Sequence, residues 1–391
     1  MSSSNRLTSF NLFFLWFGAA VSVAEILTGG YLSDLGWRGG LWAIVLGHLV
    51  GTALLVLGGV IGFRERVPAI RSTRISFGRQ GSWLISLINV LQLIGWTAVM
   101  IVEGGRAINA IAAAQWGFDH QGAACVAVGG CIALWVFLGL RGFKVVNVVA
   151  VLFLLALTVV LSVVLAGKGI PAGAATGDFG MGFELSIIMP LSWFPLIGDY
   201  TSMATSRRGA WLAPFLGYFT GSCWMYSIGL AGALESGSAD PSSMMLAAGL
   251  GLVALCIIGL STVTTTFLDA WSAAESSINV FARLPRRGAA VFFAALGTLL
   301  ALYFPVERYT DFLYVLGSVF APLIAILLAD YFLFGTDRRE RAWDLGATLS
   351  LAVGVIVYYS VKDAGLPTGP TLATIAASLA VHAVVRKVVR L

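Results

Sequence analysis

The sequence predicts an all-α membrane protein, and three observations carry that prediction. Apolar residues make up 58% of the 391 positions and charged residues only 11%, against roughly 25% charged in soluble chains. Apolar stretches of about 20 residues, the helix length that crosses a ~30 Å hydrocarbon core, recur along the whole chain. Lys and Arg collect in alternate connections between these stretches, the bias that marks the cytoplasmic side of membrane proteins. A water-soluble fold is excluded, and the surrounding partner is a lipid bilayer.

Twelve transmembrane helices are expected, at about 10–33, 40–62, 82–108, 122–141, 145–167, 183–204, 211–234, 244–270, 289–304, 308–334, 342–360 and 371–389. The ninth is short, and polar residues continue past the eighth as far as Asn279. One set of connections holds Arg64, Arg66, Arg71, Arg74 and Arg79, then Arg141 and Lys144, Arg207 and Arg208, Arg283, Arg286 and Arg287, and Arg338, Arg339 and Arg341. Arg6 lies before the first segment, and Arg386, Lys387 and Arg390 lie at or beyond the end of the last. The opposite side keeps only Arg38, Arg106, Lys168, Arg308 and Lys362. This arrangement places a multi-pass chain in the cytoplasmic (inner) membrane with both termini cytoplasmic. The net charge of +5 and the pI near 9.1 then reflect topology, and no nucleic-acid partner is expected.

The first segment is too long for a secretory signal peptide and has no small-residue cleavage site, so the chain is expected to begin with a short cytoplasmic tail. Cys125, Cys131, Cys223 and Cys256 lack metal-ligand spacing and are expected as small core residues. With no large soluble segment, residues 1–391 form a single transmembrane domain.

Two segments five helices apart are interrupted. The first carries Gly18-Ala-Ala-Val-Ser22-Val-Ala-Glu25, and the sixth contains Pro190, Pro195 and Gly198. Unwound backbone at bilayer depth is tolerated where it lines a cavity, and matched interruptions in two halves mark an inverted-repeat secondary transporter. The repeats are expected at 10–167 and 183–334, with 342–389 as two additional helices.

Polar groups inside a span are costly, about 2.5–3.5 kcal/mol for Asp at a helix centre, and usually mark a pathway. Ser22 and Glu25 flank the first break. Trp96, Met100 and Glu103 share one face of the third helix through their i, i+4, i+7 spacing. Ser192, Trp193, Phe194 and Pro195 form a polar and aromatic patch in the sixth. In the eighth, Ser261-Thr-Val-Thr-Thr-Thr266 precedes Asp269. Its hydroxyls either join freed carbonyls to cage a hard cation such as sodium or bond back to their own helix. The tryptophans serve either as stacking faces for a flat heteroaromatic ligand or as packing and interface residues. Glu103 has an ion-pair partner one turn away in Arg106, whereas Glu25 has no basic neighbour within a turn. Asp269 is left open among packing, ion and proton roles.

At these residues the chain resembles the nucleobase/cation symporter family, particularly its cytosine permease branch and the CytX-type hydroxymethylpyrimidine transporters. The resemblance spans nearly the whole chain. It is carried by Thr28-Gly-Gly30, Ser76-Phe-Gly-Arg-Gln-Gly-Ser-Trp-Leu84, Gln92-Leu-Ile-Gly-Trp96, Gly198-Asp-Tyr-Thr201, Thr264-Thr265 and Ala329-Asp-Tyr331. It implies a LeuT-like core of two inverted five-helix halves with helices 1 and 6 broken, working by alternating access. It also implies a sodium site formed by the carbonyls of Gly18 and Val21 with Ser261, Thr264 and Thr265, a stacking Trp96, and a substrate contact at Ser22. Two departures stand out: the cytosine permease branch has an amide at the position of Ser261, and ungapped alignment of helix 6 puts Pro190 where relatives carry their second aromatic. Trp193, three residues later, is favoured for that role, and Asp199 is expected to tie down the cytoplasmic end of helix 6.

The resulting expectation is a sodium-coupled importer of a small pyrimidine, namely hydroxymethylpyrimidine (the thiamine precursor) or a related aminopyrimidine such as cytosine. Its substrate site is expected at Ser22, Glu25, Trp96, Met100, Ser192, Trp193 and Ser261. The alternative is a proton-coupled permease for a purine, allantoin or a hydantoin, with Glu25 or Asp269 titrating. A membrane enzyme is disfavoured, because His48, His120 and His382 have no metal-ligand or nucleophile–base spacing. A channel is disfavoured for want of a selectivity-filter repeat.

Overall fold

The computed structural model describes residues 6–138, 140–303 and 308–388, and the side chains of 140–148, 150, 151, 252, 260, 261, 264 and 265 lie outside the described residues. Sixteen α-helices follow one another in the described chain. They are α1 Ser9–Ala20, α2 Val23–Gly30, α3 Gly36–Glu65, α4 Ala69–Ser72, α5 Arg74–Trp116, α6 Gln121–Leu138, α7 Leu140–Lys168 and α8 Phe179–Ser192. There follow α9 Phe194–Thr201, α10 Arg207–Ser236, α11 Pro241–Ala247, α12 Gly251–Ile278, α13 Arg286–Ala301, α14 Tyr309–Leu328, α15 Leu345–Val361 and α16 Gly369–Val388.

Helical structure occurs at each expected segment, with shifted limits. Among the described residues, six helical stretches are long and apolar enough to cross a membrane, or seven when the bent pair α1 and α2 counts as one.

The two interruptions differ in depth. Between α1 and α2 the chain bends by 53°, because Val21 leaves helical geometry (φ −79°, ψ 80°) and Ser22 is extended (φ −139°, ψ 157°). The small run Gly18-Ala-Ala offers little side-chain packing to hold a helix together, and Ser is a favoured residue at a helix start. In the sixth segment only Trp193 separates α8 from α9, at φ −85° and ψ −7°. Its two pieces continue as one 23-residue stretch, Phe179–Thr201. The two prolines therefore leave this span continuous apart from Trp193, and the expected break of helix 6 is a single-residue hitch.

Other limits move for identifiable reasons. Gly249 and Gly251 take positive φ (77° and 64°), dividing the expected 244–270 segment into α11 and α12, and α12 continues to Ile278. The third helix begins earlier than expected. Inside it Gly78 turns to φ 79°, ψ 177°, a conformation costly for any residue with a Cβ. There the chain docks the loop before α15: the N–H groups of Arg79 and Gln80 donate to the carbonyls of Arg341 and Ala342 at 2.8 and 2.7 Å. The cysteines are corrected too: Cys125 is buried, Cys223 half-buried, and Cys131 and Cys256 exposed.

The core is built by close backbone approach. α10 packs against α1, α2 and α3, and its glycines make this possible. A methyl group at Gly217 would run into the carbonyl of Phe13, and one at Gly229 into the carbonyl of Ile26. Small residues four apart are a common interface in membrane helix pairs, and here they hold both halves of the broken helix against one continuous neighbour.

Candidate substrate-binding site

The helix break opens onto a cavity. It is lined by Ala19, Ser22, Ala24 and Glu25 from the broken helix, Gln92, Leu93, Trp96 and Met100 from α5, Met189, Ser192, Trp193 and Leu196 around the α8–α9 hitch, and Asp269 from α12. Counting its mouth and the open space beyond it, the space measures about 520 Å³. Six residues expected at the site from sequence, Ser22, Glu25, Trp96, Met100, Ser192 and Trp193, are brought together here from three separate parts of the chain. Ser261 lies on α12, and its side chain is outside the described residues, as are those of Thr264 and Thr265. Asp269 joins the lining; Pro190 does not.

Each aromatic wall is held by further rings. The Trp96 ring meets Phe312 edge-on at 5.3 Å and Tyr309 at 6.1 Å. Trp193 is met by Trp16 at 5.9 Å, and Trp16 also contacts Tyr200 and Tyr218. Such edge-to-face contacts fix ring orientation, so both indoles border the cavity from braced positions.

Gln92 is the residue that sequence reasoning missed as a site group, although it begins the stretch Gln92-Leu-Ile-Gly-Trp96. Its Nε2 donates to the Ser192 carbonyl at 3.0 Å and to Asn89 Oδ1 at 2.7 Å. Because a backbone carbonyl only accepts, this fixes which end of the amide faces α8. Gln92 Oε1 is left buried with no hydrogen-bond partner, an acceptor awaiting a donor. Asn89 is in turn held, its Nδ2 donating to Ser276 Oγ at 2.8 Å.

Ser22 starts α2 without making a side-chain cap bond. Its N–H is turned to the Ala20 carbonyl at 2.9 Å, whereas in a continuous helix it would reach Gly18. The Gly18 carbonyl thus loses its helical donor, and Val21 leaves helical geometry one residue before Ser22.

Glu25 is 1% exposed. It accepts hydrogen bonds from the hydroxyls of Tyr218 at 2.8 Å and Ser222 at 2.6 Å, both on α10. Ser222 Oγ also lies 2.6 Å from His48 Nε2 on α3. No spacing in the sequence pointed to this assembly.

The alternatives for the remaining polar groups separate. Thr266 bonds back to the Thr262 carbonyl at 2.7 Å, the structural role weighed for the threonine run. Glu103 lies 3.8 Å from Arg106 as the i, i+3 pair anticipated and does not reach the cavity lining. Asp199 accepts from the Ala69 N–H at 2.9 Å, fastening α9 to α4 as expected. Among the described residues no three His, Cys, Asp or Glu side chains cluster as a metal site.

The similarities to known proteins agree with this architecture. Residues 2–345 match the family described as permease for cytosine/purines, uracil, thiamine, allantoin. The chain is 28% identical over 364 residues to the cytosine permease of Escherichia coli (strain K12), covering 88% of this chain and 84% of that protein. It is 22% identical over 427 residues to the purine-cytosine permease fcyB of Emericella nidulans, covering 96% and 80%. Among solved structures, it superposes on Mhp1, a nucleobase-cation-symport-1 family transporter, in a closed conformation with bromovinylhydantoin bound. That match has a TM-score of 0.82 at 19% identity and covers 99% of this chain and 96% of that one. The inward-facing conformation of Mhp1 matches with a TM-score of 0.84 at 19% identity, covering 100% and 94%. At such identity these structures establish the LeuT-like fold alone. The chain therefore belongs to the nucleobase/cation symporter family, the permeases for cytosine/purines, uracil, thiamine and allantoin, and is a multi-pass membrane transporter and not an enzyme.

Proposed function

We propose that the chain is a sodium-coupled importer of a small aminopyrimidine, with hydroxymethylpyrimidine as its substrate and cytosine as the nearest analogue. The observation that carries this reading is the buried, unpartnered Oε1 of Gln92, a residue that lines the cavity bordered by Trp96 and Trp193. A flat ring between two indoles gains stacking energy of about 0.5–1.5 kcal/mol. An exocyclic amine supplies the donor that Gln92 lacks, and Ser22 and Ser192 contribute hydroxyls at the ring edge. Met100 supplies an apolar wall. The similarity to cytosine permeases supports the same substrate class.

Sodium is proposed as the co-transported ion, held by the Gly18 and Val21 carbonyls and by Ser261, Thr264 and Thr265. The loss of the Gly18 carbonyl's helical donor supports this, since a hard cation takes neutral oxygens freed by a helix break. Sodium would brace the break that presents Ser22, and by linkage substrate would tighten sodium to the same degree. We further propose twelve crossings with cytoplasmic termini in the inner membrane, and repeats at 10–167 and 183–334 followed by two additional helices.

The test is thermal stabilisation of the purified protein by hydroxymethylpyrimidine, cytosine, uracil, a purine and a hydantoin, each in sodium and in potassium. Stabilisation follows RT ln(1 + [L]/Kd). A shift with the hydroxymethylpyrimidine that needs sodium and is lost in Trp96→Ala is the expected result. A shift that ignores sodium overturns the ion, and a response confined to purines or hydantoins overturns the substrate.

A further inference from the structure

The contacts around Ser222 do not balance without an extra proton. His48 Nδ1 lies 2.8 Å from the Ile44 carbonyl, which only accepts, so Nδ1 carries a hydrogen and Nε2 is bare in the neutral ring. Ser222 Oγ sits 2.6 Å from that Nε2 and 2.6 Å from Glu25 Oε2. With Glu25 ionised and His48 neutral, the serine has two acceptors and one hydrogen. One contact is then two lone pairs held face to face, with Ser222 and His48 both 0% exposed and Glu25 1% exposed. Adding one proton satisfies everything. On Glu25, the acid donates to Ser222 and Ser222 donates to His48; on His48, the imidazolium donates to Ser222 and Ser222 donates to Glu25.

We propose that Glu25, Ser222 and His48 form a binding site for a single proton, whose occupancy fastens the second half of the broken helix, α2, to α10 and α3. The site is separate from the sodium ligands and does not rest on the reading of the substrate. Both protonated arrangements are neutral overall, and only the first leaves an uncharged Glu25 at the cavity wall. Losing the proton leaves one buried negative charge and releases Ser222 from either α2 or α3, so proton loss loosens the segment that carries Ser22 and Glu25.

Among the described residues, tyrosines, a cysteine and two acidic side chains are the titratable groups around the site. From α10 these are Tyr218, which donates to Glu25 Oε1 at 2.8 Å, Cys223 close to Glu25, and Tyr226, whose ring meets His48 at 4.5 Å and whose hydroxyl donates to the Leu185 carbonyl. From α14 comes Tyr309, hydrogen-bonded to Thr28 at 2.8 Å. Asp269 of α12 shares the cavity, and Glu103 of α5 is engaged with Arg106.

The test uses the purified full-length protein without any substrate, titrated with acid and base while the infrared bands of protonated carboxylic acids and of the histidine ring are followed in H2O and D2O. Unfolding midpoints are measured in parallel. The wild type should show a step assignable to Glu25 and His48 above the ordinary His value near 6.5, with stability falling as pH rises from there through the step, by up to tenfold in the unfolding constant per pH unit. Glu25→Gln supplies a permanent donor to Ser222, and His48→Gln does the same from the other end. Both should fold, lack the step and lose no stability as pH rises above about 6.5. A folded variant of either kind that keeps the wild-type step overturns the proposal. So does a wild type with no single-proton step between about pH 5 and 9, the range in which a shared His–carboxylate proton is expected to move, and that result needs no variant. Because no substrate is present, such a failure leaves the pyrimidine reading intact.

Discussion

At the residue scale, the site turns on one orphaned acceptor. Gln92 has both amide donor contacts satisfied and its oxygen unpaired, and an unpaired buried acceptor costs about 1–3 kcal/mol until a ligand meets it. Gln92→Met keeps the side chain's length and removes that oxygen. It should weaken cytosine binding by about 5–150-fold and weaken uracil, which has a carbonyl where cytosine has its amine, much less. Equal losses for the two bases, measured by ligand-induced thermal shift, would remove Gln92 as the reader of the amine. Trp193→Ala should raise the Kd for cytosine about tenfold, from lost stacking and contact area, whereas Phe281→Ala, at an exposed position distant in sequence from the lining residues, should not change it. Trp96 was legible through its shared face with Met100 and Glu103 and through the family resemblance, and Trp193 through its place between Pro190 and Pro195. Gln92 was not, since nothing local distinguishes a glutamine bonded to its neighbours from one that keeps an atom for a ligand.

At the element scale, the broken helix depends on α10. Its two short halves cannot cross a bilayer alone, and an unwound segment in lipid leaves backbone groups unpaired. The glycines of α10 bring a continuous helix into backbone contact with both halves. Gly229→Ala places a methyl against the Ile26 carbonyl and should cost about 1–3 kcal/mol as overpacking, read as a lowered unfolding midpoint. Gly130→Ala, on α6 with open space around it, is the comparison and should be neutral or slightly stabilising. A similar response from both would show that helix propensity, not close approach, governs α10. The sequence announced the first interruption through its small and polar residues. It overstated the second, because Pro190 and Pro195 fit within one helical stretch when Gln92 Nε2 and Ser192 Oγ take up the Ser192 and Met189 carbonyls.

At the scale of the whole molecule, the last two helices are bolted to the transporter core through buried charge. Asp330, just after α14, takes both Nε and Nη2 of Arg386 at 2.8 and 2.6 Å and His382 Nε2 at 3.0 Å, while Arg386 Nη1 reaches Asp344 at 2.8 Å. Deeper in, Glu184 of α8 accepts from Tyr358 of α15 and Thr371 of α16. Removing one partner of a buried pair strands the other, at about 3–5 kcal/mol, so Asp330→Asn should lower the unfolding midpoint by several degrees and expose α16 to proteolysis before the rest of the chain. An unchanged digestion pattern would mean that the apolar contacts of α15 and α16 suffice. The sequence by itself determined the membrane-embedded all-α class, the approximate position of the helical segments, the first break and both indoles of the cavity wall. Those follow from apolar length, charge bias and residue size, which are properties of neighbours along the chain. Only the tertiary structure decided how shallow the second break is, that Gln92 holds an unpaired oxygen, and that Glu25 meets His48 through Ser222. These depend on which polar atoms from distant segments come within hydrogen-bonding distance, and in a nearly uniform apolar sequence no periodicity encodes that pairing.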